Sequence, residues 1–111
     1  MKTFIFDKNE NYWKVTTEKG EAFGTNLSPT QFYEKEINEL HNLLLEDLLR
    51  RKNYLSLGEV ALWLEDEKYG AEANQIITWF KNTYNLIIAH LETITEYKDP
   101  NIFINKIDIL N

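Results

Sequence analysis

The segment Gly70-Ala71-Glu72-Ala73-Asn74-Gln75-Ile76-Ile77-Thr78-Trp79-Phe80-Lys81-Asn82-Thr83-Tyr84-Asn85-Leu86-Ile87-Ile88-Ala89-His90-Leu91-Glu92-Thr93-Ile94 carries the most regular pattern in the chain. Ala73, Ile77, Phe80, Tyr84, Ile87, Leu91 and Ile94 follow one another by alternating steps of four and three. That is the heptad spacing of a helix packing along a continuous seam. Ile76, Trp79, Leu86 and Ile88 widen the apolar surface beyond the seam, enough to hold two partners. Asp99-Pro100 then restarts the chain, a capping residue followed by the residue favoured at the first helical position. Residues 101–110 read as a closing helix with Phe103, Ile104 and Ile107 inward, or as a strand because of their β-branched content.

Upstream, Ser28-Pro29 opens another long helix in the same way. Its stripe runs Tyr33, Ile37, Leu40, Leu44, Leu48, broadened by Phe32, Leu43, Leu45 and Leu49. Arg50-Arg51-Lys52 complements the negative end of its dipole, and Asn53 stops it. Ser56-Leu57-Gly58-Glu59 has capping-box spacing and starts a short helix with Leu57, Val60, Ala61 and Leu64 on its apolar face. Glu65-Asp66-Glu67 would sit at the end of that helix, the unfavourable terminus for acids, and Gly70 breaks it.

Residues 3–24 read as a β-meander. Phe4 and Phe6 alternate with Ile5; Tyr12-Trp13-Lys14-Val15-Thr16-Thr17 is aromatic and β-branched; Glu21-Ala22-Phe23 adds a short third strand. The turns lie at residues 7–11 and at Glu18-Lys19-Gly20. An isolated unit of this size needs a surface to lean its aromatic face on. The expected fold is therefore α+β, mainly α: a small N-terminal meander (1–26) on a three- to four-helix antiparallel bundle (27–111), forming one domain.

Composition narrows the chemistry. The 111 residues include no Cys, which removes disulfides and thiolate metal sites. The net charge of −6 argues against a nucleic-acid partner. Met1–Lys8 lacks the apolar stretch of a signal peptide, and no run reaches the roughly eighteen apolar residues of a membrane span. A cytoplasmic location is expected. His41 and His90 each lie on the edge of an apolar stripe and read as boundary residues. Neither has a second histidine at helical spacing, so no metal site or cofactor is expected. The four glycines are scattered, with no phosphate loop and no nucleophile elbow, and the only serines, Ser28 and Ser56, serve as caps. No catalytic residue is indicated.

Two features remain. Glu59, Glu65, Asp66, Glu67 and Glu72 form a dense acidic group, most simply a solvated face. Tyr12, Trp13, Trp63, Tyr69, Trp79, Tyr84 and Tyr97 exceed the ordinary aromatic needs of a small core, and Trp and Tyr are favoured at protein interfaces. Packing between helices and meander accounts for Trp79 and Tyr84. Trp63 with Tyr69 beside the acids is the expected exposed patch. The candidate partner-binding residues are Trp63, Glu65, Asp66, Glu67, Tyr69, Glu72 and Trp79.

Tyr69-Gly70-Ala71-Glu72-Ala73, the Trp79 helix, then Leu91-Glu92-Thr93-Ile94-Thr95-Glu96, Pro100 and Phe103-Ile104 resemble small proteins of tailed phages and prophages encoded among tail-fibre and tail-assembly genes. The resemblance spans about Leu57 to Ile107; the meander and first helix lie outside it. It implies a tail or fibre-assembly role through a protein partner, with no catalytic residues. Two alternatives stand beside it. One is an acidic inhibitor or immunity-type protein masking a basic surface of a nuclease or host-defence protein. The other is a ligand pocket or enzyme cleft between meander and helices. The breadth of the third helix also allows a homo-oligomer.

Overall fold

The computed structural model describes residues 1–111 and is α+β, mainly α. Three strands, β1 (Thr3–Asp7), β2 (Tyr12–Thr16) and β3 (Ala22–Thr25), precede α1 (Pro29–Arg51), α2 (Leu57–Leu62), α3 (Gly70–Leu91) and α4 (Pro100–Ile104). The strands form an antiparallel meander in sequence order, Phe6 opposite Trp13 and Val15 opposite Phe23. Asp7 Oδ1 accepts the amides of Asn9 and Glu10 in the first turn. Gly20, at φ +84°, supplies the left-handed residue of the second.

Capping fixes the helix ends. Ser28 Oγ accepts Gln31 N–H while Gln31 Oε1 accepts Ser28 N–H, a complete capping box. The other end of α1 closes with Asn53 at φ +64°, Asn53 N–H on Arg50 O and Tyr54 N–H on Leu49 O. This is the Schellman arrangement, and Leu49 and Tyr54 enter one apolar cluster, as that motif favours. Ser56 Oγ caps α2 through Glu59 N–H, and Glu59 returns its carboxylate to Leu55 N–H rather than to the cap residue.

α2 is shorter than its pattern suggests. It ends at Leu62, leaving Ala61 and Leu64 exposed. Glu65-Asp66-Glu67 therefore belong to the loop before α3, near the positive end of that helix, which resolves the apparent dipole mismatch. Asp66 Oδ2 accepts Lys68 and Tyr69 N–H and sets the approach to α3. Gly70 is the first residue of α3; a Cβ there would lie 2.6 Å from the Leu64 carbonyl oxygen, so the corner closes only on glycine.

α1 and α3, each spanning over 30 Å at about 1.5 Å per residue, run antiparallel. Tyr33 meets His90, His41 meets Thr83, and Leu48 shares a cluster with Ala73 and Ile76. The core has two parts. One gathers Leu48, Leu49, Tyr54, Val60, Ala73 and Ile76 at the α2 end; the other gathers Tyr33, Ile37, Ile87, Ile104 and Ile107 at the α4 end. The residues of α3 that face inward are Ala73, Ile76, Thr83 and Ile87: Ala73 and Ile87 belong to the heptad seam, whereas Ile76 and Thr83 lie beside it, and Ile77 and Leu91 pack at the rims of the two clusters. Tyr84, expected in the core, is exposed, and so is Leu43 of the α1 stripe. α1 and α3 are the two long helices, bridged by the short α2 and followed by α4.

The C-terminal segment resolves as the short α4, capped by Asp99 on Asn101 N–H, then a non-helical tail. That tail runs back along the hairpin: Arg51 donates to Leu110 O at 3.1 Å and Trp79 Nε1–H to Asp108 O at 2.8 Å. The meander leans its aromatic face on the N-terminal end of α1, with Phe4 and Phe23 against Phe32, and Phe4 against Tyr97. Its tether is polar. Both Glu36 oxygens are occupied, one by Tyr97 Oη–H at 2.6 Å and one by Lys2 Nζ at 2.9 Å. The molecule is elongated, 61 × 25 × 22 Å. No helix is long and apolar enough to cross a membrane.

Candidate functional site

The corner where α2 turns into α3 concentrates the unusual surface chemistry. Because α2 stops after six residues and Gly70 starts α3 in tight contact with Leu64, the loop is held with its side chains outward. Leu55 is 93% and Leu62 83% exposed, while Trp63, Leu64 and Tyr69 retain about two-fifths of their surface. Trp63 and Tyr69 hold each other edge to face, ring centroids 5.5 Å apart at 77°. Lys68 Nζ lies 5.1 Å from the Tyr69 ring centre. A recess of about 320 Å³ opens beside the pair, lined by Lys52, Asn53, Tyr54, Glu59, Trp63, Tyr69 and Glu72.

The acids divide by what they hold. Glu72 accepts the Tyr54 hydroxyl at 3.1 Å; burial first, and then this carboxylate, push the Tyr54 phenol up. Asp66 and Glu59 accept backbone amides. Glu65 and Glu67 are exposed and enter no ion pair. The structure therefore brings Trp63, Tyr69 and Glu72 to one recess and leaves Glu65, Asp66 and Glu67 on its loop.

Trp79 does not belong with them. It lies on the α4 side of α3, packs against both core clusters and spends its indole N–H on Asp108 O. The heptad pattern placed it beside the seam. What holds it is the returning C-terminal tail, whose path no local pattern shows. Leu55 and Leu62 were missed for a related reason: α2 ends before Leu62 finds anything to pack on.

The depression of about 440 Å³ between meander and helices includes Lys2, Glu36, Tyr97 and Asp99 in its lining. Its central carboxylate, Glu36, already has a partner on each oxygen, and it acts as the tether of the meander. Tyr97 is pushed up strongly by burial and by the Glu36 carboxylate it serves.

Both histidines are internal to the hairpin. His41 is buried and stacks on Phe80 at 5.2 Å. Its Nε2 meets the Thr83 hydroxyl at 2.7 Å, and that hydroxyl also lies 3.1 Å from Phe80 O. His90 stacks on Phe103 at 3.8 Å and meets the Tyr33 hydroxyl at 2.7 Å. Burial holds His41 below its ordinary 6.5; burial, then Lys98 and Lys106, do the same to His90. The folded state therefore binds fewer protons than the unfolded chain below that value, and stability rises with pH across the interval. The melting temperature is expected to be flat near pH 7 and to fall as pH drops through about 6.5 toward the folded pKa values, ahead of general carboxylate protonation. Replacing His41 by Gln should remove its share of that slope. A midpoint independent of pH over the interval would contradict the neutral, internal placement.

Comparison with protein-family models, with curated proteins and with solved structures finds no match to this chain.

Proposed function

We propose that this protein is a non-catalytic assembly factor of a tailed phage or prophage, binding a tail or tail-fibre component through the α2–α3 corner. The observation that carries the reading is the exposure of Leu55, Leu62, Trp63, Leu64 and Tyr69 within fifteen residues of chain. Apolar surface held in water is unfavourable by about 25 cal/mol per Å², and covering it by a partner recovers that free energy. The Trp–Tyr pair gives such a partner two rigid aromatic anchors with polar handles. A fibre subunit exposes apolar or strand surface before it assembles, and a small protein presenting an apolar corner is suited to hold it. The resemblance of residues 57–107 to proteins encoded among tail genes supplies the class of partner.

A second reading is favoured by Glu65 and Glu67, two carboxylates without ion-pair partners on the same loop, within a chain of net charge −6. It is an acidic inhibitor docking the corner on a basic surface. A tagged pull-down from cells producing the phage proteins, washed at low and high salt, separates the two. The assembly reading expects a tail or fibre protein that survives high salt. A basic protein that washes off with salt would replace it by the inhibitor reading, since screened charge is lost and apolar contact is kept.

A further inference from the structure

The recess at the α2–α3 corner is not apolar throughout. Tyr54, Trp63 and Tyr69 contribute three aromatic side chains to its lining, and Glu59 and Glu72 contribute two carboxylates. Each carboxylate is held through one oxygen. Glu59 Oε2 accepts Leu55 N–H at 2.7 Å, and Glu72 Oε1 accepts the Tyr54 hydroxyl at 3.1 Å. The second oxygen of each takes no hydrogen bond, and neither side chain enters an ion pair. Both glutamates are half-buried. Their charges converge on one point: after burial, Glu72 and then Glu59 push the Tyr54 phenol up. Lys52 is the one cation in the lining, and it pairs with neither.

A partner that covers Trp63 and Tyr69 also takes these two carboxylates out of water. Desolvating a carboxylate is strongly unfavourable unless the partner supplies donors and opposite charge. One lysine cannot neutralise two glutamates, so the missing charge has to come from outside the chain. We infer that, with the corner read as a contact surface, the recess seats an arginine side chain of the protein partner. Its guanidinium lies against the aromatic wall and donates to the free oxygens of Glu59 and Glu72.

The chemistry of the lining selects this occupant. Two carboxylates reject an anion, and a hydrocarbon side chain would leave both of them unpaired. A guanidinium suits the recess better than an ammonium: it is planar, so it stacks on an aromatic face, and its five donors serve two carboxylates at once. The aromatic pair already attracts a cation from within the chain. Lys68, which is not part of the lining, places Nζ 5.1 Å from the Tyr69 ring centre. The volume, about 320 Å³, lies at the small end of ligand pockets and suits one long side chain. An ion pair closed off from solvent is screened little, so such a contact is compatible with a complex that survives high salt.

The probe is N-acetyl-arginine amide, titrated into the full chain and followed by NMR at the Trp63 indole N–H, the signal that Trp63→Phe removes. A saturable shift with a Kd of about 1–10 mM is expected. N-acetyl-citrulline amide, which keeps the shape without the charge, should bind about 5-fold more weakly or worse. Glu59→Gln with Glu72→Gln should weaken the arginine probe about 10-fold. Glutamine keeps a carbonyl oxygen for Leu55 N–H and for the Tyr54 hydroxyl, so the melting temperature should hold. Glu92→Gln with Glu96→Gln removes the same charge beyond the far end of α3 and should leave the Kd unchanged. No saturable shift, equal binding of the citrulline probe, or equal weakening by the two glutamine pairs would each overturn the proposal. The pull-down separates it from the functional reading. A tail or fibre protein retained by the Glu59/Glu72 variant but lost by Trp63→Ala with Tyr69→Ala would overturn the arginine seat and leave the contact surface standing. Arginine binding as expected, with no tail protein recovered by any chain, would keep the seat and remove the tail-assembly reading.

Discussion

Trp79→Ala is expected to destabilise the fold by about 3–4 kcal/mol, lowering the melting temperature by roughly 10–15 °C. The indole packs against both apolar clusters, and its N–H holds Asp108 O at 2.8 Å. Truncation removes the half-buried indole from both clusters and frees the C-terminal tail from its anchor. Leu110 and Ile107, which that tail delivers to the core, should loosen with it. Trp63→Ala at the corner provides the contrast. Its ring lies against Tyr69 with about two-fifths of its surface in water, so the loss should stay below about 1 kcal/mol. Thermal unfolding followed by circular dichroism checks both. Equal losses from the two substitutions would contradict the placement of Trp79 against the core clusters and Trp63 at the exposed corner.

Ile76→Ala and Ile77→Ala should differ sharply although the residues are neighbours. Ile76 is fully buried between α1, α2 and α3, and its truncation is expected to cost about 3 kcal/mol, within the usual range for a buried Ile. Ile77 is half-buried at the rim of the same cluster, and about 1 kcal/mol is expected for it in the monomer. Urea unfolding at low protein concentration, where self-association is negligible, gives the two values. A larger loss at Ile77 would mean that Ile77, and not Ile76, lies at the centre of the cluster shared with α1 and α2.

That pair also shows where sequence reasoning ran out. Ser28, Ser56 and Asp99 announced their helices because a cap is a local bargain between one side chain and one or two amides. The meander was legible for a similar reason: Gly20 and the Asp7 turn set its hairpins, and its aromatic face, Phe4 and Phe23, had to find an apolar surface, which Phe32 and Tyr97 supply. The orientation of α3 was not legible. Its apolar arc is wide, and which residues within it become buried depends on tertiary contacts such as His41 on Thr83. The length of α2 was hidden too, since the apolar pattern continues through Leu64 while the helix ends at Leu62. At the corner, Trp63 and Tyr69 could be singled out from residue type. Leu55 and Leu62 could not, because nothing in a leucine's neighbours says that no partner element will arrive. Trp79 was grouped with them on residue type alone, and its tie to Asp108 connects positions 29 residues apart.

The functional proposal rests on the corner being a contact surface and not a poorly packed edge of the core. The most direct measurement pairs Trp63→Ala and Tyr69→Ala in one chain and follows two quantities, the melting temperature and the recovery of a tail or fibre protein in a high-salt pull-down. Removing two anchors should reduce recovery about 100-fold or more while the melting temperature moves by only a few degrees. Undiminished recovery, or a melting temperature that falls by 10 °C or more, would contradict the account, because the two aromatic rings would then serve the fold and not a partner.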